Sequence, residues 1–422
     1  MNCVMKGIRR LTAYRSAALW ACMVCMLLPA GCRQRSPEPT VGTERPIQEW
    51  MRVLLFGNLR ECSVASLSGF RIEDIDGGSS AEFMTSAPIQ IRHQDGFIQV
   101  GDHFFGRQIL IKPNAPYVVF EIDGKAYRGY LRLHIRMDEA GMEVINEVPL
   151  ESYLFGVVGA EMQSYWEPEA LKAQAVVSRT YGLYIKSRFG ALRSWDLTQS
   201  EANQVYRGIE AETPSVRQAV LETAGQILIG KWADGSESLF PAYYSSSCGG
   251  HTEAAQNVFG GSAAVPLSGV LCPYCKEIAR RKDFHWPNVT LTKRQIFEGL
   301  TRRYESLEKL EGIEDFEISR VGFLGRVTQV RLLGKNGKTD TLRGEDFRLS
   351  LDPTGRKIKS AVFTVDKNAD SVVFRDGLGF GHGVGLCQCG AQGMARQGYT
   401  YQEILDFYFP GSKQVAIETS KE

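Results

Sequence analysis

A single glutamate at the end of an apolar stretch is the first residue whose position suggests chemistry. Glu161 follows the apolar residues 155–160, so its carboxyl group is expected to be partly buried. Burial disfavours the charged form and raises the pKa of a carboxyl group, which suits a general acid. The alternative is structural, a carboxylate at a helix end that caps the helix or pairs with Arg179. Glu169 is a rival acid, but the helix dipole alone explains its place in the first turn after Pro168.

A glycine-rich segment near the C-terminus holds the second candidate. His382 lies between Gly381 and Gly383, where the missing side chains let the backbone approach a ligand closely. It is therefore not a histidine on an apolar face, and it could orient Glu161 or bind a substrate. No Lys-Ser/Thr pair follows the glycines, which argues against a phosphate-binding loop.

The cysteines form the third group of candidate residues. Cys272 and Cys275 have C-x-x-C spacing, and Cys387 and Cys389 have C-x-C spacing. Both spacings suit a metal, and in an exported protein they also suit disulfides. We expect these four to form one spatial cluster with a structural role, either as a zinc site with four thiolate ligands or as two disulfides.

The order of the helices and strands expected from the sequence, which must position these residues, predicts an α+β fold. Residues 49–144 are rich in short β-branched segments punctuated by Gly, Asn and Pro, and they predict a β-rich N-terminal region without a catalytic motif. Residues 145–411 mix helices and strands without a regular βαβ period, and residues 412–422 form a tail. Helices are expected at 151–162, from Pro168 onward, from Pro214 to Gly225, at 292–310 and after the capping box Thr400-x-x-Glu403.

The N-terminus is expected to be a targeting segment. Basic residues precede an apolar run from Ala17 to Ala30, which is too short for a comfortable membrane span of about 20 residues. The run ends in Ala30-Gly31-Cys32, which resembles a bacterial lipoprotein cleavage site with Cys32 as the lipidated residue. Residues 1–32 would then be the signal and residues 33–48 a polar tether. An ordinary signal peptide with an incidental cysteine is the alternative.

Four segments together resemble one known family, the SpoIID/LytB group of stage II sporulation protein D and amidase enhancers. They are Val148–Met162 running into Glu169–Tyr181, Gln204–Gly208, Tyr244–Glu253 and Gly379–Ala395. They occur in the family's order, and the similarity spans roughly residues 145–411. It implies a catalytic domain that acts as a lytic transglycosylase on peptidoglycan glycan strands, preferably strands stripped of their peptides. The glutamate that matches Glu161 is the catalytic residue of the family.

The resemblance also implies the other site residues. His382 would act beside Glu161, and Tyr206 could be a platform on which a sugar stacks, although buried tyrosines are common. Contacts with the substrate are expected from Gln174, Arg179, Ser247, Gly383 and Gln388. For Gln174 and Arg179, which lie on a helix and could face the cleft, the alternative is a solvated or structural role. Some family members bind zinc through a cysteine and a histidine near the catalytic loop, and Cys248 and His251 could do so here. Cys387 and Cys389 replace the serine and tyrosine usual in the family.

Charge and chemistry limit the remaining functions. The formal net charge of +1 favours no nucleic-acid partner. A single acid suffices if the sugar's own 6-hydroxyl is the nucleophile, so the proposed reaction requires no cofactor. The expected partners are glycan strands and the membrane, through a lipid anchor on its extracytoplasmic face; a cell-wall amidase is the further partner that the alternative function would require. The alternative function is a non-enzymatic, peptidoglycan-binding activator of an N-acetylmuramoyl-L-alanine amidase.

Overall fold

The structure is a computed structural model, and it describes residues 49–115 and 118–417. The expected signal peptide with Cys32 and the tether to residue 48 lie outside the described residues. Of the expected tail, residues 412–417 are described. Among the described residues, no helix is both long and apolar enough to cross a membrane.

Residues 50–149 form twelve of the strands described. These are β1 Trp50–Leu59, β2 Glu61–Ser66, β3 Phe70–Asp74, β4 Ser80–Phe83, β5 Ile89–Gln94, β6 Phe97–Val100, β7 His103–Phe105, β8 Gln108–Pro113, β9 Phe120–Ile122, β10 Lys125–Tyr127, β11 Tyr130–Ile135 and β12 Met142–Pro149. With β13, Leu197–Thr198, they make a seven-stranded sheet, β13-β1-β12-β11-β8-β3-β4, and a six-stranded sheet, β10-β9-β2-β5-β6-β7.

The two sheets bury their inward faces in one core. β11 shows the reason in its sequence, because every second residue of Tyr130–Ile135 is apolar and buried. Phe70 of one sheet and Phe120 of the other meet edge to face, with ring centroids 6.2 Å apart. Sequence reasoning therefore predicted the β-rich character of this region correctly.

Nine helices follow among the described residues. They are α1 Leu150–Glu161, α2 Pro168–Phe189, α3 Pro214–Glu222, α4 Ala255–Val258, α5 Arg281–Phe284, α6 Lys293–Arg303, α7 Gly344–Leu351, α8 Gln388–Arg396 and α9 Tyr401–Tyr408. The predicted starts of α2 and α9 are confirmed: Pro168 occupies the first turn of α2, and Thr400 and Glu403 form a capping box at α9. The single helix expected over 292–310 instead ends at Arg303 and continues after Tyr304 as a 3-10 segment, Glu305–Leu310.

The remaining strands are two to nine residues long, and all but the last lie between these helices. They are β14 Gln226–Lys231, β15 Glu237–Ser238, β16 Tyr244–Ser245, β17 His285–Trp286, β18 Val289–Thr292, β19 Ile313–Val321, β20 Val327–Gly334, β21 Thr339–Arg343, β22 Thr364–Lys367, β23 Ser371–Arg375, β24 Gly377–Leu378, β25 Leu386–Cys387 and β26 Lys413–Ala416. The expected fold class, α+β, is confirmed.

Two hydrophobic cores divide the chain differently from the expected boundary. The first core runs without a break from the N-terminal sheets through α1, α2, α8 and α9. The boundary expected between residues 144 and 145 falls inside β12, which pairs with β1 along its length and leads directly into α1. A second core lies within residues 286–374, where α6 and α7 pack against β19 and β20.

Candidate active site

Glu161 is the last residue of α1, and its carboxyl group is held by two donors. The backbone N–H of Val205 donates to Oε1 at 2.8 Å, and the hydroxyl of Tyr244 donates to the same oxygen at 3.2 Å. Arg179, which the structural interpretation offered as a partner, pairs elsewhere. The carboxyl group is therefore positioned by neutral donors rather than by an ion pair.

The environment of Glu161 raises its pKa. Burial is the largest cause, and repulsion by the Glu201 carboxylate adds to it. The hydrogen bonds from Val205 and Tyr244 and the nearby side-chain amide of Gln388 act in the opposite direction, because they stabilise the charged form. The carboxyl group therefore stays protonated to a higher pH than an exposed glutamate does, which is what a general acid needs.

Tyr244 connects Glu161 to a buried polar network. It stands in β16, and its hydroxyl accepts a hydrogen bond from Nε2 of Gln204 at 3.3 Å. Oε1 of Gln204 in turn accepts from the hydroxyl of Tyr153 at 3.0 Å. Burial raises the pKa of Tyr244 well above its usual value, so this hydroxyl remains a donor. Sequence reasoning gave Tyr244 and Gln204 no role, although both lie in the segments that carry the family resemblance.

Gln388 holds the other side of Glu161. It is the first residue of α8, and its Nε2 donates to the backbone carbonyl of Glu161 at 3.3 Å and to Oε1 of Gln174 at 3.4 Å. Gln174 lies on α2, and its Nε2 donates to Ser178 at 2.9 Å. Both glutamines are buried. The structure thus places them behind the acid, as supports rather than as exposed substrate ligands.

His382 lies on the glycine-rich loop but makes no described hydrogen bond to Glu161. Its Nδ1 accepts from the backbone N–H of Val384 at 3.0 Å, and its ring meets those of Tyr243 and Phe259 edge to face. Burial lowers the pKa of His382 to about 4, against an opposing attraction from the Glu345 carboxylate. The imidazole is therefore neutral near pH 7.

Ser247 and Gly383 are buried and serve the backbone of this loop. Ser247 exchanges two backbone hydrogen bonds with Phe380, at 3.0 and 2.8 Å. Gly383 has a φ of +70°, and a β-carbon there would lie 2.2 Å from Nη2 of Arg326. The expected substrate contacts of both residues are thus replaced by packing, because the loop closes over a buried arginine that sequence reasoning missed.

Two further expected substrate ligands are structural. Arg179 has 0% exposure, and it donates from Nε and Nη2 to the two carboxylate oxygens of Glu151, at 2.9 and 2.5 Å. Tyr206 has 2% exposure, and its hydroxyl donates to Asn146 at 2.8 Å. The expectation of a sugar-stacking platform at Tyr206 was wrong, because Tyr127 and Tyr153 pack against its ring.

Glu169 is committed to structure, as expected from its place in the first turn of α2. Its Oε1 pairs with Nζ of Lys172 at 2.8 Å. Its Oε2 accepts from the backbone N–H of Tyr401 at 2.7 Å, so it satisfies a free donor at the start of α9. Both carboxylate oxygens are therefore occupied.

The cysteines cluster, but not in the combination expected. The Sγ atoms of Cys248, Cys272, Cys275 and Cys387 all lie within 4.8 Å of one another, and all four residues are buried. Cys389 was expected in this group and lies outside it, because it stands in the first turn of α8 while Cys387 ends β25. The parallel pairing of β16 with β25 brings Cys248 in instead.

His251 also stays outside the cluster. Its ring stacks on that of Phe323, with centroids 4.1 Å apart and an interplanar angle of 15°. The expected pairing of Cys248 with His251 as metal ligands is therefore wrong for this geometry. The group of four that could hold a metal consists of thiols alone.

Known proteins share the segments that build this site. The model of the family described as Stage II sporulation protein matches residues 138–229, and a domain of unknown function (DUF8618) matches residues 274–385. An uncharacterized protein of Brachyspira hyodysenteriae is 37% identical over 294 residues, which are 69% of this chain and 73% of that protein. Stage II sporulation protein D of Bacillus subtilis is 30% identical over 286 residues, which are 64% of this chain and 75% of that protein.

The chain belongs to the stage II sporulation protein D family. This confirms the resemblance inferred from the four segments. The Bacillus subtilis protein named Amidase enhancer is also similar, at 29% identity over 354 residues, which are 73% of this chain and 47% of that protein. The family model covers α1, α2 and α3 and ends within β14, so the family segment includes Glu161 and its helical support.

Proposed function

We propose that the protein is a lytic transglycosylase that cleaves peptidoglycan glycan strands, preferably strands stripped of their peptides, with Glu161 as the general acid and base. The observation that carries the proposal is the Glu161 carboxyl group, whose pKa is raised by burial and whose Oε1 is held by Val205 and Tyr244. Membership in the stage II sporulation protein D family supports the choice of a cell-wall substrate.

The reaction balances with one carboxyl group. Glu161 donates its proton to the oxygen of the β-1,4 glycosidic bond as the bond from the sugar C1 to this oxygen breaks. The 6-hydroxyl of the same sugar forms the new bond to C1 and gives its proton to the Glu161 carboxylate. One strand ends in a 1,6-anhydro sugar and the other in a free hydroxyl. Neither water nor a cofactor is consumed.

The neutral donors around Glu161 suit both halves of this cycle. A protonated carboxyl group is favoured before bond cleavage because the site is buried. After proton transfer, the N–H of Val205 and the hydroxyl of Tyr244 stabilise the carboxylate until it takes the second proton. A permanent ion pair with an arginine would instead hold the group ionised and remove the acid.

Mass analysis of the products tests the proposal. Purified protein is incubated with glycan strands freed of peptides, and the new ends are identified by mass. We expect 1,6-anhydro ends, and products one water heavier would instead indicate hydrolysis. The Glu161→Gln variant serves as the control for a contaminating enzyme.

A non-enzymatic role is the second candidate, because one relative is named Amidase enhancer. In that case, the protein would bind the glycan and stimulate an N-acetylmuramoyl-L-alanine amidase without forming new glycan ends. Either role needs the protein outside the cytoplasm, and we propose that a lipid on Cys32 anchors it there. Cys32→Ala would then release the protein from the membrane fraction.

A further inference from the structure

Four buried thiols meet in the first core at a place that the proposed reaction does not use. They come from three separate parts of the chain: Cys248 follows β16, Cys272 and Cys275 lie in one loop, and Cys387 precedes α8. Their Sγ atoms all lie within 4.8 Å of one another. A cluster of four buried thiols is the ligand set of a tetrahedral metal site.

The distances between the Sγ atoms fit a single metal ion. A zinc ion with Zn–S bonds of about 2.3 Å places its tetrahedral sulfurs roughly 3.8 Å apart. The Sγ atoms of Cys248 and Cys275 are 3.7 Å apart. A disulfide would require about 2.05 Å, and it would also join the thiols in pairs rather than gather all four around one point. An iron–sulfur cluster needs thiolates spread much farther, because several metal and sulfide atoms must fit between them.

The surroundings supply hydrogen-bond donors and a positive charge for thiolates. The backbone N–H of Cys248 donates to Sγ of Cys387 at 3.3 Å. The hydroxyl of Tyr408 lies 3.1 Å from Sγ of Cys272. Nη2 of Arg326, which has 1% exposure, donates to the carbonyl of Cys248 at 2.9 Å. Four thiolates with one divalent ion carry a net charge of −2, and a buried arginine beside them offsets part of it.

Gly390 provides the room for this arrangement. A β-carbon on Gly390 would lie 1.9 Å from the Tyr408 hydroxyl and 2.8 Å from Sγ of Cys272. No side chain can stand there while Tyr408 and Cys272 keep their places. The helix α8 thus approaches the thiols closely enough for Cys387, at its start, to join them.

We propose that Cys248, Cys272, Cys275 and Cys387 bind one structural zinc ion that fastens the start of α8. Cys387 is followed directly by Gln388, whose amide holds the backbone carbonyl of Glu161. The ion therefore supports the acid indirectly, by fixing the residue next to its own ligand. It touches no substrate and takes no part in bond cleavage.

Metal content of the full chain, purified without chelators, tests the site. We expect one zinc per chain by elemental analysis. With the metal removed under denaturing conditions, all six cysteines of the described residues should react with a thiol reagent. Cobalt exchanged into the site should give the absorption of a tetrahedral, four-thiolate complex. Two disulfides within the cluster would leave Cys62 and Cys389 as the reactive thiols among the six described cysteines and would overturn the proposal, as would a metal-free protein or iron in place of zinc.

The C-x-C pair offers a matched comparison. Cys387→Ser removes a ligand, whereas Cys389→Ser changes a thiol two residues away that is also buried but lies outside the cluster. Zinc affinity should fall by at least about 100-fold in the first variant and remain unchanged in the second. Equal zinc loss in both, or in neither, would overturn the ligand assignment. If Cys387→Ser does not fold, the zinc content and the number of reactive thiols of the wild-type protein still test whether the four cysteines bind zinc. Because zinc content is measured without substrate, this test is independent of whether Glu161 cleaves glycan.

Discussion

The hydroxyl of Tyr244 lies 3.2 Å from Oε1 of Glu161 and joins the end of α1 to β16. The two residues are far apart in the chain, yet the tertiary structure brings the Tyr244 hydroxyl into contact with the carboxyl group of the proposed acid, Glu161. Tyr244 stabilises the charged carboxylate, while burial of Glu161 favours the neutral form. The pKa of the Glu161 carboxyl group is set by the balance between these two effects.

The pair Glu161→Gln and Glu169→Gln separates the two candidate acids. The amide at position 161 keeps the shape but donates no proton, so cleavage of peptide-free glycan should fall about 10²–10⁴-fold. Glu169→Gln should keep most activity and lose roughly 0.3–1 kcal/mol of helix stability. Rates of 1,6-anhydro end formation are compared, with circular dichroism to confirm folding. Full activity of the Glu161 variant would show that the acid lies elsewhere.

Tyr244→Phe should shift the pH dependence of cleavage. Wild-type activity should fall as pH rises through the raised pKa of Glu161, because the acid then loses its proton. Removing the Tyr244 hydroxyl removes one donor to the carboxylate, so the pKa rises further and the alkaline limb moves to higher pH. Tyr401→Phe is the control, since its hydroxyl bonds Gln226 instead. A shift toward lower pH would contradict this assignment of Tyr244.

His382 should make the fold sensitive to acid. The unfolded histidine takes up its proton near pH 6.5 and the folded one only near 4, so the unfolded state binds more protons between these values. Stability should therefore be complete above pH 6.5 and decline as pH falls toward 4, by at most about 3 kcal/mol. Urea denaturation at pH 7.5 and 4.5 measures the decline. His382→Gln should reduce it, and an unchanged decline would assign it to other groups.

Arg179→Ala should destabilise the protein rather than weaken glycan binding specifically. It leaves the Glu151 carboxylate without its buried partner, and breaking such a pair costs about 3–5 kcal/mol. The exposed pair of Arg294 with Glu298 is the control, where solvent screens the charges and Arg294→Ala should leave the free energy of unfolding almost unchanged. The measurement is the free energy of unfolding in urea. A stable Arg179 variant with impaired glycan binding would restore its expected role as a substrate ligand.

Local sequence patterns gave correct predictions where the physical cause lies in residues that are neighbours in the chain. Pro168 and the Thr400 capping box begin helices because they satisfy or tolerate the free N–H groups of a first turn. The apolar residues before Glu161 correctly indicated a carboxyl group with a raised pKa. Such features depend on neighbours along the sequence, which the sequence shows directly.

The sequence did not show which side chains are buried by elements that are remote in the chain. Tyr206 and Arg179 have side chains that suit sugar binding, but packing against other elements closed them off from solvent. The Cys389 thiol has nearly the same sequence position as that of Cys387, and the change from strand to helix between them turns it away from the cluster. Direction of a side chain depends on the backbone around it, which spacing alone does not supply.

The sequence by itself determined the family, the α+β class and the candidate acid, because these rest on residue order and on local apolar patterns. Only the tertiary structure decided which residues meet. Tyr244 and Gln388 form hydrogen bonds to Glu161. Arg179 forms an ion pair with Glu151. Cys248, and not Cys389, belongs to the thiol cluster. The physical reason is that hydrogen bonds and metal sites depend on distances of a few ångströms, and these are set by the packing of elements remote from one another in the chain.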